Sequence, residues 1–233
     1  NRGRLRAAPL PMSQSIVICT PTLIRPHQAY LDALEASVPA LDAAGIQHQT
    51  TFEMRCTYIS YARAQMLHRA LQTDADAFVF IDHDMSWAPE ALVRLVQTKG
   101  DVVSGLYRYK HEPVEYMGTL WGDGRVVERD DGCIRGAWIP AGFLKVTRAG
   151  VRRFMKRHPD LLFGNPERPA VDLFNHGARQ GVWFGEDYSF AQRWIDDGEE
   201  VWIVPDLDLD HHSADAVFPG NFHKFLLSLI GKP

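Results

Sequence analysis

A chain of 233 residues, 45% hydrophobic and 23% charged, is long enough to bury one full core. Its 25 Lys and Arg stand against 29 Asp and Glu, a formal net charge of -4, so no large basic field exists to hold a polyanion and there is no strong nucleic-acid signal. Three cysteines, Cys19, Cys56 and Cys133, are far apart and odd in number; they form neither a disulfide framework nor a metal spacing and point to a reducing, cytoplasmic setting.

Residues 1–12 read as an extension or disordered segment, basic and Pro-containing, without the apolar centre of a signal peptide; Met12 suits a natural start. Ser15 to Thr20 reads as a first buried strand that ends in a loop at Pro21-Thr22. His27 to Ala44 has helical periodicity, stopped by Gly45. Gln47 to Phe52 is a second strand and Tyr58 to Leu71 a second helix. Phe78 to Ile81 is a short apolar run expected as a central strand. Ser86 is placed to cap a helix with Pro89 in its first turn, and Asp101 to Gly105 is another strand. This alternation predicts an α/β fold with a mostly parallel central sheet flanked by helices.

The second half predicts mixed strands and loops. Val114 to Met117 and Arg125 to Glu128 suggest a hairpin around Gly122-Asp123-Gly124. Trp138-Ile139-Pro140 and Phe143 to Val146 flank Ala141-Gly142, and Thr147 caps a helix through Lys156. Leu161 to Gly181, rich in Gly, Pro, Asn and Arg, reads as a mobile loop. Asp187 to Asp197 is a helix and Val201 to Val204 a late strand. No stretch reaches the roughly 20 apolar residues of a membrane span. The apolar tail Phe222 to Ile230 is short, suited to packing on the domain, to joining a dimer, or to peripheral contact with a membrane. Residues 13–233 are therefore expected to form a single domain: 13–110 a nucleotide-binding half, 111–213 an acceptor and catalytic half, 214–233 a tail.

Three motifs carry candidate chemistry. Asp82-His83-Asp84 directly follows the central strand, where open α/β sheets bind ligands. Two carboxylates there repel and lose hydration unless a cation lies between them, and a divalent metal carrying a phosphorylated ligand is the simplest occupant. In Gly185-Glu186-Asp187, one acid could accept a proton from an attacking hydroxyl while the other orients the site; capping the helix alone would also explain an acid here. Asp208-Leu209-Asp210-His211-His212 offers an imidazole to complete a coordination sphere begun by Asp84, a donor set better suited to Mn²⁺ than to Mg²⁺. Thr20-Pro21-Thr22 and Tyr61-Ala62-Arg63 are weaker signals; Arg63 suits a phosphate or an ion pair.

Taken in order, Thr20-Pro21-Thr22, Ala62-Arg63, Phe80-Ile81-Asp82-His83-Asp84, Ser104-Gly105-Leu106-Tyr107, Ala141-Gly142-Phe143, Gly185-Glu186-Asp187 and the late His resemble a GT-A fold glycosyltransferase. The likeness is to family-2-like, small bacterial and phage enzymes and covers about Ile16 to Ser213. It implies a Rossmann-like domain, Mn²⁺ or Mg²⁺, and a nucleotide-sugar donor, usually a UDP-sugar. Carried over by position, Thr20, Pro21 and Thr22 would line the nucleobase pocket, with Arg63 and His83 near the nucleotide. Asp82 would reach the ribose and the metal region, and Asp84 would bind the metal. His211 would be the late ligand, with His212 as fallback. Gly142 would border the donor sugar. Asp187 would be the base of an inverting transfer, beside Glu186.

The chain departs from this pattern in two places. Ala64 stands where many relatives have Asn after Ala-Arg, and the Gln-x-x-Arg-Trp signature of processive synthases is absent, Gln192-Arg193-Trp194 lacking its spacing. The acceptor is not legible: a glycan, a lipid-linked sugar, a protein or a modified nucleobase all fit. A metal-dependent nucleotidyltransferase or phosphohydrolase is an alternative, weakened by the absence of glycine in Pro21 to Arg25; a non-catalytic nucleotide-sugar binding module is another.

Overall fold

The structure is a computed structural model that describes residues 14–122, 126–179 and 181–230. The extension 1–12, the turn residues Asp123 and Gly124, and Arg125 lie outside the described residues. In chain order the elements are β1 (Ser15–Thr22), α1 (Gln28–Ala43), β2 (Gln47–Met54), α2 (Ile59–Leu71), β3 (Ala77–Ile81), β4 (Met85–Trp87), α3 (Pro89–Gln97) and β5 (Val102–Gly105). There follow β6 (Thr119–Leu120), β7 (Ile134–Trp138), β8 (Phe143–Thr147), α4 (Arg148–Arg157), β9 (Leu162–Phe163), β10 (Ala170–Val171), β11 (Gly177–Arg179) and β12 (Val182–Phe184). The chain closes with α5 (Glu186–Asp196), β13 (Val201–Val204), β14 (Asp208–His212), β15 (Val217–Asn221) and α6 (Phe222–Ile230).

Eight strands form the central sheet in the order β2-β1-β3-β8-β5-β13-β7-β6. Only β7 and β8 run against the rest, so six strands share one direction. The inner strands are apolar on both sides because both faces are covered. Phe78 and Phe80 of β3 face Met66 and Leu67 of α2, Phe154 of α4, Phe190 and Trp194 of α5 and Phe222 of α6. Val79 and Ile81 of the same strand face Tyr30 and Leu41 of α1 and Leu92 and Leu95 of α3.

Lys145 sits inside this apolar sheet, on β8, and is buried. Its ammonium donates to the carbonyls of Val96 and Thr98, which closes the carboxyl end of α3. Burial pushes its pKa down to about 8.

Several expectations are corrected. β1 runs on through Pro21 to Thr22 instead of ending at a loop, since its outer neighbour β2 also extends to Met54. Ser86 does not cap α3: it lies in β4, and Ala88 holds the cap position without a side-chain bond. Among the described residues, Val114 to Met117 does not pair with Val126 to Glu128. Tyr116 bridges to Arg108, and Glu128 to Ile134.

The segment Leu161 to Gly181 is not one mobile loop. β9 pairs with β10, β11 pairs with β12, and Val171, Leu173 and Phe174 are buried between them in the core. Phe174 packs edge-on to Phe80 at 5.0 Å. Composition hid this because three apolar anchors are enough to pin a Gly- and Pro-rich stretch. β15 was not foreseen. The tail helix α6 packs Phe222, Phe225 and Leu226 on the core and leaves Leu227 and Leu229 exposed. Among the described residues, no helix is long and apolar enough to cross a membrane.

Candidate active site

Asp82, His83 and Asp84 leave β3 at the edge of the sheet where β1, β5 and β13 also end. β4 follows at once and pairs antiparallel with β14, Met85 opposite His211 and Ser86 opposite Asp210. The His212 N–H donates to the Asp84 carbonyl at 2.8 Å. This small sheet, completed by β15, is what carries the late histidines to the first acidic motif.

Neighbouring residues of a strand point to opposite sides, and the two histidines separate accordingly. His211 turns to Asp84. His212 stacks on His27 with ring centroids 4.7 Å apart, and its Nε2 meets Ser86 Oγ at 2.8 Å. His211 Nδ1 lies 2.8 Å from the Arg108 carbonyl. A carbonyl only accepts, so Nδ1 carries a proton, and whenever the ring is neutral Nε2 keeps the free lone pair. That lone pair faces Asp84 Oδ2 at 3.7 Å, beyond hydrogen-bond reach.

Two acceptors placed this way suit a cation, and the imidazole–carboxylate set fits Mn²⁺. Among the described residues, no three His, Cys, Asp or Glu side chains converge on one point. The protein thus offers two ligand atoms, and water or substrate oxygens would have to fill the remaining positions. The Lys110 ammonium bonds the same Asp84 Oδ2. Burial alone would raise the Asp84 pKa, but the His211 ring in its doubly protonated form and the Lys110 ammonium hold it well below the usual carboxylate range.

Asp82 turns away from this pair. Its Oδ1 accepts from Arg63 Nη2 at 2.8 Å, while Arg63 Nη1 donates to Glu186 Oε1 at 3.0 Å. Arg63 is 1% exposed, lies over the Phe174 ring and has no hydrogen-bond partner for its Nε. It therefore bridges the first and second acidic motifs from inside and does not reach the surface of the site.

Asp187 stands in the first turn of α5, behind the Gly185 cap. Its Oδ1 accepts from the Tyr188 N–H at 2.7 Å. Burial and the neighbouring Glu186 charge push its pKa up to about 6, with Arg63 pulling the other way. An acid with that pKa is mostly ionised at neutral pH yet still basic enough to take a proton in a reaction.

Gly142 is fitted to its place by contact, not by backbone conformation. Its N–H donates to Tyr107 Oη at 3.1 Å, and its carbonyl accepts from the Asp82 N–H at 3.1 Å. A Cβ here would lie 2.2 Å from Tyr107 Oη and 2.8 Å from Asp82 Oδ2. Tyr107 is buried and cannot retreat. Gly142→Ala is therefore expected to lose about 1–3 kcal/mol of stability, the usual cost of overpacking, in urea unfolding. Wild-type stability in that variant would mean that the Tyr107 contact yields freely.

The expected nucleobase residues lie deeper than expected. Thr20, Pro21 and Thr22 are buried, and Thr20 Oγ1 is 2.5 Å from Tyr30 Oη. The open wall beside them is made by Arg25 and His27, which with His83, Asp84, Lys110 and His212 line a pocket of about 500 Å³.

Two residues at this site were assigned no role from sequence. Tyr107 packs edge-on to His211 at 5.0 Å, and burial followed by the Asp82 and Asp187 charges pushes its pKa far up, so its hydroxyl stays neutral. Lys110 had no signal, since a lone lysine in a polar loop reads as a solvated charge.

No family model matches the chain, and no curated protein matches it. In structure it is similar to a Drosophila β1,4-galactosyltransferase 7 variant in complex with manganese, UDP-Gal and xylobiose: 13% identity, 91% of this chain, 73% of that chain, TM-score 0.47. It is similar to the inositol-1-phosphate CTP transferase of T. maritima, at 11% identity over 82% of this chain and 85% of that chain, TM-score 0.39. A third likeness is to a glycosyltransferase involved in glycosylation of the major capsid of PBCV-1, at 11% identity over 62% of this chain and 66% of that chain, TM-score 0.34.

Proposed function

We propose that the protein is a metal-dependent glycosyltransferase that moves a sugar from a nucleotide-sugar, in first place a UDP-sugar, to an acceptor hydroxyl. The observation that carries this reading is the pairing of two unlike devices at one sheet edge. Asp84 and His211 present a cation with two ligand atoms. Asp187, joined to them through Glu186, Arg63 and Asp82, is an acid tuned to about 6.

Asp84 and His211 Nε2 would hold the metal, which when bound neutralises charge on the departing nucleoside diphosphate. Asp187 accepts the acceptor's hydroxyl proton as that oxygen bonds to the anomeric carbon and the carbon–oxygen bond to the diphosphate breaks. The transfer is then a single inverting displacement. Glu186 and Asp82, clamped by Arg63, keep the base and the metal strand in register. The acceptor is a glycan, a lipid-linked sugar, a protein or a modified nucleobase.

The test is UDP release from a panel of nucleotide-sugars, with Mn²⁺ and with chelator, on wild type and on Asp84→Asn. Release of UDP from one donor that needs both the metal and Asp84 is the expected result. No release from any donor, together with no binding of UDP and Mn²⁺ in titration, would overturn the reading.

A further inference from the structure

One side chain at this site already does part of a cation's work. Lys110 belongs to the stretch between β5 and β6, two residues beyond Arg108, whose carbonyl fixes the His211 ring. Its ammonium bonds Asp84 Oδ2, the oxygen that faces the His211 lone pair. It also lines the pocket of about 500 Å³ shared with Arg25 and His83.

An ammonium and a dication on the same carboxylate oxygen repel each other and share its charge, so each weakens the other's hold. Metal entry therefore favours a move of Lys110 off Asp84. Its flexible four-carbon stem permits that, and its side chain is 31% exposed, so the head has somewhere to go. The pocket wall offers the new position, beside whatever anion the metal brings with it.

We infer that Lys110 is a built-in counter-ion: it competes with the divalent cation for Asp84 in the empty site and pairs with diphosphate oxygens once the cation is bound. The inference rests on the metal-dependent reading above and adds a residue whose two roles have opposite signs.

The experiment is a pair of calorimetric titrations on wild type, Lys110→Ala and Lys110→Met, each checked for an unchanged thermal melt. Mn²⁺ is titrated alone, and UDP is titrated at saturating Mn²⁺. Removing the competitor should tighten Mn²⁺ alone by about threefold or more. Removing the phosphate partner should weaken UDP by about tenfold or more. Lys110→Met keeps the stem and should behave as Lys110→Ala does.

If Mn²⁺ binds either variant no tighter than wild type, Lys110 does not compete for Asp84 and the inference fails. If UDP binding is undiminished, the second role fails. Wild type that takes up no Mn²⁺, with or without UDP, would instead overturn the metal-dependent reading itself.

Discussion

Asp187→Asn is expected to cut turnover by roughly 10²–10⁴-fold, the range for a lost general base, while making the protein harder to unfold at neutral pH. The two effects have one cause. In the fold the Asp187 pKa is raised to about 6, against about 3.9 in an unfolded chain. The folded state therefore holds its proton more tightly. The stability this contributes is full below about pH 4 and is lost as pH rises through about 6, so by pH 8 the ionised group costs up to about 3 kcal/mol. Asparagine carries no such cost. Urea unfolding should show the variant more stable than wild type by about 1–3 kcal/mol at pH 8, with the gap closing toward pH 4. Turnover of wild type should fall on acidification with a midpoint near 6. Turnover kept within a few-fold of wild type would reduce Asp187 to a helix-end acid, and a gap that ignores pH would mean its carboxyl is not held in a desolvated place.

Arg63→Met should be the most destabilising substitution at the site, by about 3–5 kcal/mol, since it removes the cation of a buried ion pair and leaves its partners unpaired. Asp82 and Glu186 would then face each other with their shared donor gone. Arg63→Lys should recover little of this, because one ammonium cannot reproduce the two parallel arms that reach the two carboxylates. The acid limb of turnover should also move up in pH, since Arg63 lowers the Asp187 pKa. Unfolding midpoints within about 1 kcal/mol of wild type would show that the bridge contributes little.

These two residues mark where the sequence was legible and where it was not. Phe78 to Ile81 could be read as a central strand because a strand covered on both faces must be apolar throughout. The acids that follow could be placed at a sheet edge on the same grounds. The partner of Arg63 could not be read, since Glu186 lies 123 residues away and the contact depends on how α5 docks. Lys145 shows the reverse problem: a charged residue in mid-strand is a poor general sign of burial, and its acceptors are backbone carbonyls at a helix end, which no side-chain pattern reveals. Ser86 read as a cap because its type and spacing before Pro89 were right, but the pairing of β4 with β14 claimed it first. His211 was preferred to His212 in sequence only through a resemblance in position after Leu209, with no physical ground for the choice. Only strand alternation in the β14 pairing separated them.

The place of β8 has a consequence for how the chain must assemble. It runs between β3 and β5, with Ile81 opposite Phe143 and Ser104 opposite Leu144. During synthesis the early βα units can form, but β3 and β5 do not touch each other and each keeps an open edge until the chain has grown past Thr147. Until then the facing edges of β3 and β5, both apolar strands, stand exposed, a state prone to mispairing. The halves that suggest separate nucleotide and acceptor modules are thus not separable pieces. The later half supplies the strand that closes the earlier one, and the site at its end exists only when both are present.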